Sequence, residues 1–242
     1  MAIDVPFITT AQMRDVDRLM MGEFRISLLQ MMESAGRALA RLARDRFLDG
    51  DSKGKRVLVL VGTGGNGGGG MVCARNLHNW GATVELFGVF GTHEFDPVPA
   101  QQLDILDGLG VPLTLVSGAQ DLPEADLIID ALVGYSLSGP PRGALASLIR
   151  SAADVECPTL ALDVPTGVDA STGEVYEPAV KADATMTLAL PKTGLAVQGA
   201  QAYVGELWLA DIGVPPELYA KPTVGVRVRT PFNESDLVKL SD

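Results

Sequence analysis

The sequence predicts an α/β fold: a three-layer α/β/α sandwich on a Rossmann-like, mostly parallel sheet, with two additional helices ahead of the first strand. Three observations carry this. Residues 57–61, VLVLV, form a continuous apolar run, the pattern of a strand buried on both faces. Seven of the nine residues 62–70 are glycine, after which Met71, Val72, Ala74 and Leu77 recur at helical spacing. Strand, glycine loop and helix make a unit in which backbone N–H groups can face a ligand from a helix N-terminus. Strand-like and helix-like stretches then alternate through the middle of the chain, which favours parallel strands covered on both faces.

In order, residues 1–8 read as an extended arm. Thr9 with Gln12, and Ser27 with Gln30, have the spacing of capping boxes. The first helix buries Met13, Val16, Leu19 and Met20; the second buries Met31, Met32, Ala35, Ala38, Leu39 and Leu42. This pair could cap the sheet or form a subunit interface. Further strands are expected at 82–87, 111–116, 126–130, 158–162, 184–190, 206–210 and 224–228, with helices within 94–108 and over 142–152. Helices thin out after the fifth strand, which places the later strands toward a sheet edge. No repeat or linker interrupts 1–242, read as a single domain.

With 242 residues, 47% of them apolar, the chain can bury a full core. A net charge of −11 argues against nucleic acid or an anionic membrane as partner. Cys73 and Cys157 read as thiols in a reducing compartment. With no spanning run and no signal-peptide pattern, a cytoplasmic protein is expected.

Ligands of an open parallel sheet bind beyond the carboxyl ends of its strands, where strand order reverses. Three polar clusters stand at such ends: the glycine tract after the first strand, Asp130 after the fourth, and Asp163 after the fifth. A carboxylate ending an apolar run needs a partner, a ligand or a cation, or it caps a following turn. Gly62 to Gly67 satisfies G-x-G-x-x-G weakly, but the acidic residue expected after the second strand is misplaced, Glu85 lying inside the run. No G-K-[ST] follows, Ser136 lacks a nucleophile-elbow glycine, and His78 and His93 lack partners at metal-ligand spacing.

Several stretches together resemble the NAD(P)H-hydrate epimerases, the YjeF N-terminal domain family. They are Ala11-Gln12-Met13, Met32-Glu33-Ser34-Ala35-Gly36-Arg37, the glycine tract, the Asp130 segment, Leu162-Asp163-Val164-Pro165-Thr166-Gly167, Leu190-Pro191-Lys192 and Asp211-Ile212-Gly213-Val214-Pro215. The family loop is typically G-P-G-N-N-G-G-D-G. This chain keeps the second asparagine as Asn66 and has Gly65 and Gly69 for the first asparagine and the aspartate. The resemblance implies a substrate site at Gly64, Gly65, Asn66, Gly67, Gly68, Gly69, Gly134, Tyr135, Ser136, Leu137, Ser138, Gly139, Pro140 and Asp163. It implies a potassium (K+) site at Asn66, Asp130 and Thr166. The implied reaction interconverts the R and S epimers of hydrated NADH or NADPH, a repair of damaged nicotinamide nucleotides. C6 of the hydrated ring is a hemiaminal, so a proton carrier suffices, and Asp163 is the candidate. A homodimer through the N-terminal helices is a further expectation. The alternatives are a catalytically impaired nucleotide-binding or scaffolding relative, fed by Gly65 and Gly69, and a nicotinamide oxidoreductase, for which no hydride-acceptor site is found.

Overall fold

The computed structural model describes residues 5–89, 95–229 and 231–241; His93 and the start of the arm lie outside them. Helix α1 (Thr10–Gly22) and helix α2 (Leu28–Phe47) open the chain, and both carry the expected capping boxes. Thr9 and Ser27 accept the backbone N–H of Gln12 and Gln30, and each glutamine accepts its cap residue's N–H in return. The α/β series follows: β1 (Arg56–Val61), α3 (Gly65–Asn79), β2 (Thr83–Gly88), α4 (Pro97–Gly108), β3 (Leu113–Leu115), β4 (Leu127–Ala131), α5 (Gly143–Ala153) and β5 (Thr159–Leu162). Then come β6 (Ala184–Leu188), α6 (Gln198–Val204), β7 (Glu206–Ala210), α7 (Pro216–Tyr219) and β8 (Leu237–Ser241).

The sheet order is β3-β2-β1-β4-β5-β6-β7-β8, parallel except for the antiparallel β7–β8 pair. Strand order reverses between β1 and β4, so the glycine tract and the Asp130 end lie side by side. Alternate residues of β1 serve both faces. Val57, Val59 and Val61 pack into the core with α2 and α3, while Leu58 and Leu60 pack with Leu148 and Ile149 of α5. A separate core seats α1 on the later strands, joining Ile8, Met13, Val16 and Met20 to Leu190, Leu209, Ile212 and Leu218. The arm is anchored there: Ile8 N–H donates to Pro191 O at 2.8 Å and Thr193 N–H to Ile8 O at 3.0 Å. No helix of the described residues is long and apolar enough to cross a membrane.

Two expectations are corrected. Residues 224–228 are not a strand; Gly225 has φ +68° there, and the eighth strand is Leu237–Ser241. The glycine tract is a loop only over Gly62–Gly64, because α3 already begins at Gly65. The reason is close packing. A Cβ on Gly67 would overlap the Gly62 carbonyl, one on Gly68 would sit 2.5 Å from the Met32 methyl, and one on Gly69 would sit 2.8 Å from a Leu162 methyl. A Cβ on Gly36 of α2 would sit 2.5 Å from the Gly69 carbonyl, so α2 and α3 touch backbone to backbone.

Candidate active site

A cavity of about 310 Å³ opens beyond the carboxyl ends of β1, β4 and β5. Methionines 13, 21, 31 and 32 and Ile212 make its apolar side; Asn66, Tyr135, Asp163, Lys192 and Asp17 make its polar side. Asp163 follows β5 with φ +69°, a left-handed conformation that costs a non-glycine residue about 1 kcal/mol or more. That twist turns its carboxylate inward. Oδ2 accepts the Tyr135 N–H at 3.1 Å, while Oδ1 accepts the Lys192 ammonium and, at 3.4 Å, the Leu188 N–H. Lys192 is fully buried and also donates to Leu188 O at 2.9 Å and Thr187 Oγ1 at 3.3 Å. Asp163 therefore does not cap the turn at Thr166 and Gly167. Asp130 does: its Oδ2 accepts the Thr166 N–H at 2.7 Å.

Asp130 is fully buried, and burial pushes its pKa up to about 6 against the pull of the Thr166 and Leu132 hydrogen bonds. Its Oδ1 accepts the Thr166 hydroxyl at 2.8 Å and the Leu132 N–H at 3.2 Å. Thr166 Oγ1 in turn accepts the Val133 N–H at 3.1 Å. Asn66 reaches Gly134, the residue after Val133 in the chain. A Cβ on Gly134 would lie 3.0 Å from both Asn66 Oδ1 and Asp163 Oδ2, so glycine is what admits both side chains. The Asn66 Nδ2 is buried without a hydrogen-bond partner.

The other expected residues divide. Gly65, Asn66, Gly69, Gly134, Tyr135, Ser136 and Asp163 line the main cavity. Gly64 joins Gly65, Asn66, Gly134 and Ser136 around an adjoining hollow, and Leu137, Ser138, Gly139 and Pro140 line a third that shares Ser136. The three make a run of hollows along the sheet's carboxyl edge. Gly67 and Gly68 line none of these hollows. Gly64 and Gly65 have open space where a Cβ would go.

The polar residues that sequence reasoning missed are Lys192 and Asp17. Lys192 had a signal, an ammonium ending the apolar stretch Leu188-Ala189-Leu190-Pro191. Asp17 had none, since an aspartate on an amphipathic helix reads as its solvated face.

A family model described as YjeF-related protein N-terminus matches residues 28–194. The chain is 43% identical over 241 residues to the NAD(P)H-hydrate epimerase of Dehalogenimonas lykanthroporepellens, covering 97% of this chain and 92% of that one. It is 35% identical over 219 residues to the NAD(P)H-hydrate epimerase of Rhodopirellula baltica, covering 89% and 88%. The bifunctional NAD(P)H-hydrate repair enzyme Nnr of Moorella thermoacetica is 34% identical across 92% of this chain, which spans 43% of that longer protein. The crystal structure of yeast ynu0, YNL200c, superposes with a TM-score of 0.79 at 25% identity, covering 98% of this chain and 100% of that one. By the family match and by these relatives, the chain belongs to the YjeF-related N-terminus family.

Proposed function

We propose that the chain is an NAD(P)H-hydrate epimerase, acting as one domain over 1–242 and interconverting the R and S forms at C6 of hydrated NADH or NADPH. The observation that carries this is the Asp163–Lys192 pair, aimed into a cavity beside Asn66 and the open glycines in a chain with epimerase-named relatives. The hydrated ring carries a hydroxyl on the carbon bonded to the ring nitrogen. When a proton reaches that oxygen, the nitrogen lone pair expels it as water, and water can return to either face. No electron is transferred. The methionine-rich wall suits the ring, since thioethers pack adaptably on flat surfaces. The first-turn N–H groups of α3 have no intrahelical partners and suit the pyrophosphate at Gly64 and Gly65.

A monovalent cation fits Asn66, Asp130 and Thr166. All three supply oxygen, the donor of choice for hard cations, and Asp130 forms no ion pair with a described basic residue. Potassium is the ion we assign; when bound it would offset the charges of Asp130 and the substrate pyrophosphate. The N-terminal helices are the proposed surface of a homodimer, with Met21 of α1 45% exposed. The free thiols of Cys73 and Cys157 support action in the cytoplasm.

The test is direct. Purified protein with potassium chloride is given one resolved epimer of hydrated NADH, and the epimers are separated chromatographically over time. Approach to the equilibrium mixture faster than in buffer supports the assignment; an unchanged ratio refutes it. Hydrated NADPH in parallel fixes the nucleotide preference.

A further inference from the structure

We propose that Asp17 of α1 is the second proton carrier of this reaction, serving the ring face opposite Asp163. This rests on the epimerase reading. Inverting one carbon requires hydroxyl to leave from one face and water to arrive at the other, so one fixed carboxylate reaches only one of the two oxygens. The cavity holds a second. Asp17 lines it, and its Oδ2 accepts the Tyr135 hydroxyl at 2.5 Å. The same Tyr135 donates its backbone N–H to Asp163 Oδ2. One tyrosine therefore spans the two carboxylates, touching Asp163 with its main chain and Asp17 with its phenol. Its side chain sets the distance between them.

The environments also differ. Lys192 bonds to Asp163 and not to Asp17. Burial raises the Asp17 carboxyl above the ordinary aspartate range, outweighing the Tyr135 hydrogen bond and the Lys192 charge, and the Asp163 charge adds to the rise. Arg14 faces the Tyr135 phenol, whose own pKa is raised by burial and by the Asp17 bond. A carboxyl raised in this way, bonded to Tyr135 and facing the cavity, is suited to give a proton to a leaving hydroxyl.

The protons balance. Neutral Asp17 gives its proton to the C6 hydroxyl, the C–O bond breaks, and the ring-nitrogen lone pair forms the N=C bond. Water adds to the opposite face and its surplus proton passes to the Asp163–Lys192 pair. One water leaves, one enters, and one proton crosses the site. The reverse epimerisation exchanges the roles.

The experiment uses the full chain with potassium chloride and each epimer of hydrated NADH bearing a heavy-oxygen label in the C6 hydroxyl. Asp17→Asn should slow epimerisation in both directions by about a hundredfold or more. One epimer should nevertheless keep losing its label to solvent, because Asp163 still serves that face. Equal loss of label exchange from both epimers, or an unchanged epimerisation rate, overturns the proposal. Should Asp17→Asn fail to fold, Tyr135→Phe decides. It removes a bond that favours the charged Asp17, so the pH limb of turnover should move upward; an unmoved limb overturns the proposal. Wild-type protein that binds both hydrates without interconverting them would sink the epimerase reading itself.

Discussion

Asp163→Asn is the perturbation with the sharpest expected consequence, and Lys192 determines what it does. The Lys192 side chain is 0% exposed and that of Asp163 is 4%. Removing one partner of a buried ion pair costs about 3–5 kcal/mol, because the other charge is left uncompensated. At roughly 2–4 °C per kcal/mol for a chain of this size, the melting temperature should fall by about 6–20 °C. Lys192 keeps its bonds to Leu188 O and Thr187 Oγ1, so the lower half of that range is expected. A slow Asp163→Asn enzyme therefore does not by itself separate chemistry from instability. Asp163→Asn with Lys192→Met separates them, since replacing both partners of a buried pair is often near neutral. The double variant should recover most of the melting temperature and none of the activity, staying about a hundredfold or more below wild type. Scanning calorimetry and the epimer assay read the two quantities. If the two substitutions destabilise additively, or if the double variant regains turnover, the pair does not work as described.

Gly69→Asp restores the carboxylate that the family loop carries; the nearest obstacle to its Cβ is a Leu162 methyl at 2.8 Å, a side-chain end that can swing, so hydrated NADH should bind more tightly by calorimetry with the fold intact. Gly36→Ala should destabilise by about 1–3 kcal/mol through overpacking against Gly69 O and Val72, whereas Gly22→Ala, with open space around it, should not; thermal melts compare the two. Potassium chloride should raise the wild-type melting temperature above that in choline chloride of equal strength, and Asp130→Asn should erase the difference. Arg46, Lys239 and Trp208 all donate to Glu206, holding its pKa down at about 2, with the Arg46 bond the largest cause. A depressed carboxylate stabilises above its unfolded pKa of about 4.5 and loses that contribution as pH falls toward 2. Because Arg46 is half exposed, Glu206→Gln should cost about 1 kcal/mol or less near neutral pH and nothing at pH 2 by denaturant melts.

Legibility followed burial. The run at 57–61 could only be a strand sealed on both faces, and once it was placed, the reversal of strand order put the glycine tract, Asp130 and Asp163 at one edge. The capping boxes were legible because they are local, each needing only two side chains three residues apart. Residues 224–228 misled because alternating valines imitate a strand. Val224 and Val226 instead pack as coil into the core around α1, and the true edge strand, Leu237–Ser241, is only half buried and carries a weak pattern. The start of α3 was hidden because helix propensity opposes it. The role of Lys192 was hidden because its partners come from residues four, five and 29 positions away and from an arm that pairs with it through Ile8.

The glycines that open α3 carry a consequence for the timing of events rather than for their geometry. Five of the first six residues of this helix are glycine, each costing about 1 kcal/mol against alanine, so the isolated segment would not be helical. Its first turns persist because α2 presses against them, with Gly36 meeting Gly69 and Met32 covering Gly68. The amides that would face a pyrophosphate are thus ordered by a neighbouring helix, and loosening α2 would release them before the sheet is disturbed. Amide exchange over residues 65–69 should then be faster than over β1 in the free protein, and should slow together with exchange in α2 when a dinucleotide binds. A helix start held by its neighbour rather than by its own propensity is expected to open ahead of the strand it follows.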